Sequence, residues 1–160
     1  MKIAVIYASK TGTAAKCAHE LAERLEADLF EADGRSPDIG RYDAVILGAG
    51  IRLGKLNRSL VKWMAAHRRE LLHKTLGLFL CCCFEENTAA YFQKNFPPEL
   101  LEHADPRISL GGELNPAALR GVDRLIAGMV PTGDGGSLYR IHTEAIDRFV
   151  DDFRVRLYTV

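Results

Sequence analysis

The chain has 160 residues, of which 48% are hydrophobic and 26% charged. That length and apolar content suit one globular domain with a substantial core, and they exclude disorder and collagen-like repetition. Twenty-one basic side chains balance 21 acidic ones, so no global field recruits nucleic acid or a membrane surface. The balance conceals a division. Residues 1–80 carry 13 basic and 9 acidic side chains. Between Arg52 and Lys74 the basic residues Arg52, Lys55, Arg58, Lys62, Arg68, Arg69 and Lys74 face only Glu70.

In chain order, Lys2 to Tyr7 is a short apolar run rich in β-branched residues, the pattern of a buried parallel strand. Beyond Gly12 and Thr13, the residues Ala14, Cys17, Ala18, Leu21, Ala22 and Leu25 recur at helical spacing, with Lys16, Glu20, Glu23 and Arg24 on the other face. Asp28 to Glu31 reads as a short strand, Ala44 to Leu47 as a buried one ending in Gly48, Leu60 to Leu72 as a helix and Leu76 to Cys83 as a further buried strand. Thr88 to Phe96 is a predicted helix stopped by Pro97-Pro98, Arg107 to Leu110 a fifth strand, and Glu144 to Leu157 a final amphipathic helix.

Between the last two elements lies an extra segment, about residues 112–137, with a predicted helix from Ala117 to Met129 and a Gly-rich loop from Pro131 to Ser137 expected to be mobile. Strands alternating with helices imply an α/β three-layer sandwich with right-handed crossovers. A count of five parallel strands favours the order 2-1-3-4-5 in a single domain over residues 1–160, with ligands at the carboxyl ends of the strands.

The cysteines are Cys17 and the run Cys81, Cys82, Cys83. They offer neither the spacing of a metal site nor a secreted disulfide framework, so reduced thiols in a cytoplasmic protein are expected. The run Ile3 to Ala8 is too short for a signal peptide, and no apolar stretch approaches the roughly 18 residues of a membrane span.

Two loops concentrate the candidate chemistry. The first strand delivers Ser9-Lys10-Thr11-Gly12-Thr13-Ala14 to a helix start. Hydroxyls, a glycine and free N–H groups at the positive end of a helix dipole make a phosphate cradle, and the bland alternative is an ordinary Ser/Thr capping turn. The third strand ends in Gly48-Ala49-Gly50-Ile51-Arg52-Leu53-Gly54-Lys55. This string misses a Walker A motif at Ala49 and Leu56, and a dinucleotide fingerprint at Leu53.

The first loop resembles that of the flavodoxin family, [ST]-x-T-G-x-[TS], through Ser9, Thr11 and Gly12, with Ala14 where the family has a hydroxyl. The string Gly48-Ala49-Gly50-Ile51-Arg52-Leu53-Gly54-Lys55, with its Gly-x-x-Ile-Arg-x-Gly pattern, most resembles the flavin loop of the menaquinone-dependent protoporphyrinogen oxidase group. The resemblance implies a flavodoxin-like fold with FMN at the carboxyl ends of the sheet. Its phosphate is expected on Ser9, Lys10, Thr11, Gly12, Thr13 and Ala14. Its ring is expected between Gly50, Ile51, Arg52, Leu53, Gly54 and a second wall at Cys83 and Phe84. Trp63 reads as a packing residue rather than a flavin contact, and so do the clustered cysteines.

Other chemistries fail on the residues. No acids end the first strand, as a receiver domain requires. A phosphatase loop would need Arg six positions after its cysteine, where Glu23 and Ala89 stand. There is no G-x-S-x-G elbow, and His19, His67, His73, His103 and His142 lack metal-ligand spacing.

Arg58, Lys62 and Arg69 share one face of the predicted helix, either a solvated face or a stripe that receives an anionic partner beside the flavin. The functional expectation is an FMN-binding electron carrier serving a redox partner protein. The alternative is an FMN-dependent protoporphyrinogen IX dehydrogenase that passes electrons to quinone from an anionic small-molecule substrate. A flavodoxin-fold domain without cofactor is the remaining option.

Overall fold

The computed structural model describes residues 1–82, 85–112 and 141–159. Five parallel strands are β1 (Ile3–Ala8), β2 (Asp28–Glu31), β3 (Ala44–Arg52), β5 (Thr75–Cys81) and β6 (Arg107–Ser109), arranged β2-β1-β3-β5-β6, with the two-residue strand β4 (Lys55–Leu56) antiparallel to β3. In the parallel part, this is the expected 2-1-3-4-5 order, so the α/β flavodoxin-like sandwich stands. Helices α1 (Thr13–Leu25) and α5 (Thr143–Thr159) cover one face of the sheet; α2 (Arg58–Leu71), α3 (Thr88–Asn95) and α4 (Pro98–His103) cover the other.

The strand alternation explains the two faces. Ile3, Val5 and Tyr7 of β1 point into the core beneath α1 and α5, while Ala4, Ile6 and Ala8 point into the core beneath α2. All six residues of β1 are buried, as expected of a strand with helices on both sides.

Two differences from the sequence reading have local causes. The string after Leu47 is not a loop, because β3 runs on to Arg52 and folds back into β4 through Leu53 and Gly54, with φ of 52° and 73°. Positive φ at both central residues is the primed turn that matches strand twist, and it makes a hairpin of a segment whose glycines read as loop. Pro97-Pro98 does end α3, but Pro98 also opens α4, where its fixed φ suits a helix start. Six residues with Leu100 and Leu101 buried are too few to show a helical period.

The predicted helix 117–129 and Gly-rich loop 131–137 lie outside the described residues, as do Cys83 and Phe84. On either side of that stretch, Gly111 bridges antiparallel to Ile141, which anchors the chain entering α5 beside the end of β6. Among the described residues no helix is long and apolar enough to cross a membrane.

Candidate functional site

The register Ala8↔Ala49 between β1 and β3 brings the two candidate loops side by side at the carboxyl edge of the sheet. After Ala8 the chain turns through Ser9, whose Oγ accepts the Gly12 N–H at 3.0 Å. This bond closes the loop on itself and does not enter the first turn of α1. Gly12 caps that helix at φ 95° and ψ −12°, and no side chain bonds the cap. The first helical bond is Lys16 N–H to the Gly12 carbonyl at 3.0 Å. The N–H groups of Thr13, Ala14 and Ala15 therefore have no intrahelical acceptor and stand at the positive end of the dipole.

The left-handed conformation requires glycine at position 12, and a Cβ built there would meet nothing within 4 Å. The loop thus presents an open side, lined by backbone N–H groups, the half-buried Ser9 and the exposed Lys10 and Thr11. Thr13 and Ala14 are buried, and the Ala14 methyl packs into the core under α1. Position 14 can offer an anion its N–H but no hydroxyl.

Across the edge, the β3–β4 hairpin pairs Ile51 with Leu56 and Arg52 with Lys55. Ile51 packs partly against the core beneath α2, while Arg52 and Lys55 are exposed and Leu53 stands at the tip, 62% exposed. The tip is held from α3. Asn95 Oδ1 accepts the Leu56 N–H at 2.9 Å, and its Nδ2 donates to the Gly54 carbonyl at 3.0 Å and the Tyr91 carbonyl at 2.8 Å. The Lys94 ammonium and the Tyr91 ring lie beside Gly54, 3.4 and 3.7 Å from where its Cβ would be. Asn95, Tyr91 and Lys94 escaped the sequence reading, since their partners are some 40 residues away in the chain and α3 was visible only as a helix.

Gly48, which looked like part of a ligand-approach motif, serves the sheet. Its cross-strand partner is Phe79, and a Cβ on Gly48 would fall 2.1 to 2.2 Å from three atoms of that ring. Gly50 borders the site, paired with Cys81.

At the end of β5 successive thiols face opposite sides. Cys81 joins the core shared by α1 and α5. Cys82 Sγ lies 3.4 Å from Ser109 Oγ and 3.8 Å from Thr88 Oγ1, and burial pushes its thiol pKa up. Ser109 Oγ in turn donates to Glu85 Oε1 at 3.1 Å, and His142 Nδ1 is 3.5 Å from the same oxygen. This polar group ties the segments after β5 and β6 to the start of α5.

Trp63 is a packing residue. It is on the buried face of α2, stacks on His67 with ring centroids 4.0 Å apart and donates its indole N–H to Ser36 Oγ at 3.0 Å. The basic run also divides. Lys74 Nζ donates to the Tyr42 carbonyl at 2.6 Å and Arg68 pairs with Glu99, so both serve the fold. Arg58, Lys62 and Arg69 are exposed on α2, but at about 1.5 Å per residue Arg69 lies roughly 16 Å along the axis from Arg58. The charge near the hairpin therefore comes from Arg52, Lys55, Arg58 and Lys62, joined by Lys94.

Comparison with known proteins agrees with this architecture. A curated relative, an uncharacterized protein of Methanocaldococcus jannaschii, is 36% identical over 66 residues, 40% of this chain and 44% of its own length. The chain thus spans less than half of that relative. A short-chain flavodoxin associated with a bacterial microcompartment superposes with a TM-score of 0.59 at 13% identity, over 98% of this chain and 99% of its own. Rubredoxin:oxygen oxidoreductase of Desulfovibrio gigas gives 0.55 at 13% identity, over 99% of this chain and 37% of its own. At such identities the superpositions speak to fold alone. The sequence profile of the flavodoxin domain matches residues 4–138, and by that match the chain belongs to the flavodoxin domain family.

Proposed function

We propose that this protein binds FMN at the carboxyl edge of its sheet and acts as a cytoplasmic electron-transfer protein. The observation that carries the reading is the pairing of the open, uncapped N-terminus of α1 at Gly12 with the hairpin 50–54 on the adjacent strand. When bound, FMN supplies the electron chemistry. The chain's own residues bind and orient it.

The N–H groups of Thr13 and Ala14, with Ser9, Lys10, Thr11 and Gly12, suit a phosphate: the helix dipole favours an anion, and glycine leaves room. Gly50, Ile51, Arg52, Leu53 and Gly54 form the wall for the ring, and Asn95 holds that wall in place. Cys83 and Phe84 complete the proposed second wall. Cations at Arg52 and Lys55 would stabilise negative charge beside them and suit an acidic redox partner.

A second reading follows from the hairpin tip. Exposed Leu53, flanked by Arg52, Lys55 and Lys94, suits an apolar macrocycle bearing carboxylates. It supports an FMN-dependent protoporphyrinogen IX dehydrogenase with quinone as acceptor, in which the segment 112–137 belongs to the single domain as a docking element. The visible spectrum of the purified protein tests the shared premise. Yellow protein that releases FMN, or apoprotein that becomes yellow on titration with FMN, is expected. Colourless protein that binds no added FMN overturns both readings in favour of a domain without cofactor. Quinone-dependent oxidation of protoporphyrinogen then separates enzyme from carrier.

A further inference from the structure

Neither reading uses Cys17 or Cys81, yet the two meet across the core. Cys17 lies in the second turn of α1 and Cys81 is the last residue of β5, 64 positions apart, with their sulfurs 3.6 Å from one another. Both are thiols in this structure, with relative exposures of 1% and 5%. The neighbouring Cys82 points to the opposite side of the strand, toward Ser109 and Thr88. A disulfide needs an S–S separation of about 2.05 Å, so the Cys17 and Cys81 sulfurs at 3.6 Å stand about 1.5 Å short of bonding distance.

We propose that Cys17 and Cys81 form a redox-active dithiol that a peroxide closes to a disulfide, tying α1 to the end of β5. Cys81 is the more exposed of the two and reacts first. Its thiolate attacks a peroxide oxygen, the S–O bond forms and the O–O bond breaks, and the leaving hydroxide takes a proton to become water. The Cys17 thiolate then attacks the Cys81 sulfenic acid; the S–S bond forms, the S–O bond breaks, and a second water leaves. The two thiols lose two electrons in total and hydrogen peroxide gains them, becoming two waters.

The consequence lies in what the bond would join. α1 begins at the open loop of Gly12, and Cys81 is paired with Gly50 at the foot of the hairpin. A disulfide would lock these supports together. The proposal itself does not require FMN to be bound.

The test is peroxide treatment of the whole protein, removal of the peroxide, unfolding in the presence of N-ethylmaleimide, and peptide mass spectrometry without reductant. A Cys82→Ala/Cys83→Ala variant, which keeps only Cys17 and Cys81, removes ambiguity within the triple-cysteine peptide. Expected is the loss of two thiols per chain and a Cys17–Cys81 linked peptide two hydrogens lighter than its halves, which dithiothreitol separates. The link should be absent from Cys17→Ala and from Cys81→Ala, each retaining the circular dichroism of the wild type. Recovery of Cys17 and Cys81 both alkylated after unfolding, oxidation of either to sulfinic acid without a link, or a disulfide that instead contains Cys82 would overturn the proposal.

Discussion

Replacing Gly48 by alanine puts a methyl group where the fully buried Phe79 ring lies, 2.1 to 2.2 Å from three ring atoms, more than an ångström inside ordinary contact. The ring has little room to retreat, because it is fully buried and packs edge-to-face with Phe149, centroids 6.4 Å apart. Overpacking of a tight core costs about 1–3 kcal/mol, and the depth of this overlap puts Gly48→Ala near the top, about 3 kcal/mol. For a chain of this length that is a fall of roughly 6–12 °C in Tm. Phe79→Ala removes the ring and costs about 3–5 kcal/mol by itself.

In the double variant the new methyl enters vacated space. Its stability should therefore equal that of Phe79→Ala alone, a coupling of about 3 kcal/mol between the two sites. Urea unfolding of all four proteins, followed by circular dichroism with m-values compared, measures this cycle. Additive losses, or a Gly48→Ala protein within about 0.5 kcal/mol of wild type, would refute the assignment of Gly48 to sheet packing.

Asn95→Ala removes the bonds to Leu56 N–H and the Gly54 carbonyl, at about 0.5–1.5 kcal/mol each, so a loss of about 1–3 kcal/mol is expected, with faster amide hydrogen exchange at Leu56. Unchanged exchange there would show that the hairpin holds itself. At alkaline pH, burial and the hydrogen bond to Asp28 raise the Tyr42 phenol from 10.0 to about 12. The unfolded chain then releases this proton first, so the contribution is complete below pH 10 and is lost as pH rises from 10 to about 12. Urea midpoints should fall across that window, more steeply in wild type than in Tyr42→Phe. Some slope should remain in the variant, because burial and Glu31 also raise the pKa of Tyr7.

The architecture was legible because it rests on local periodicity. Strands buried on both faces are continuous apolar runs, helices on a sheet show one apolar stripe, and the alternation of the two leaves few topologies. The loop 9–14 was legible for the same reason, since a glycine at a strand-to-helix junction has one geometry to serve. The charge balance was legible only as a sum: which cations stand near the hairpin and which serve the fold depended on partners such as Tyr42 and Glu99, far away in the chain.

What the sequence determined by itself, then, was the layered fold and its strand order. Tertiary structure decided that Gly48 exists for Phe79, that Leu53-Gly54 turns a hairpin, that Asn95 holds it, and that Cys17 meets Cys81. Each of these is a contact between residues that periodicity treats as unrelated. Side-chain period reports which face a residue occupies; only the packed sheet says what stands opposite it.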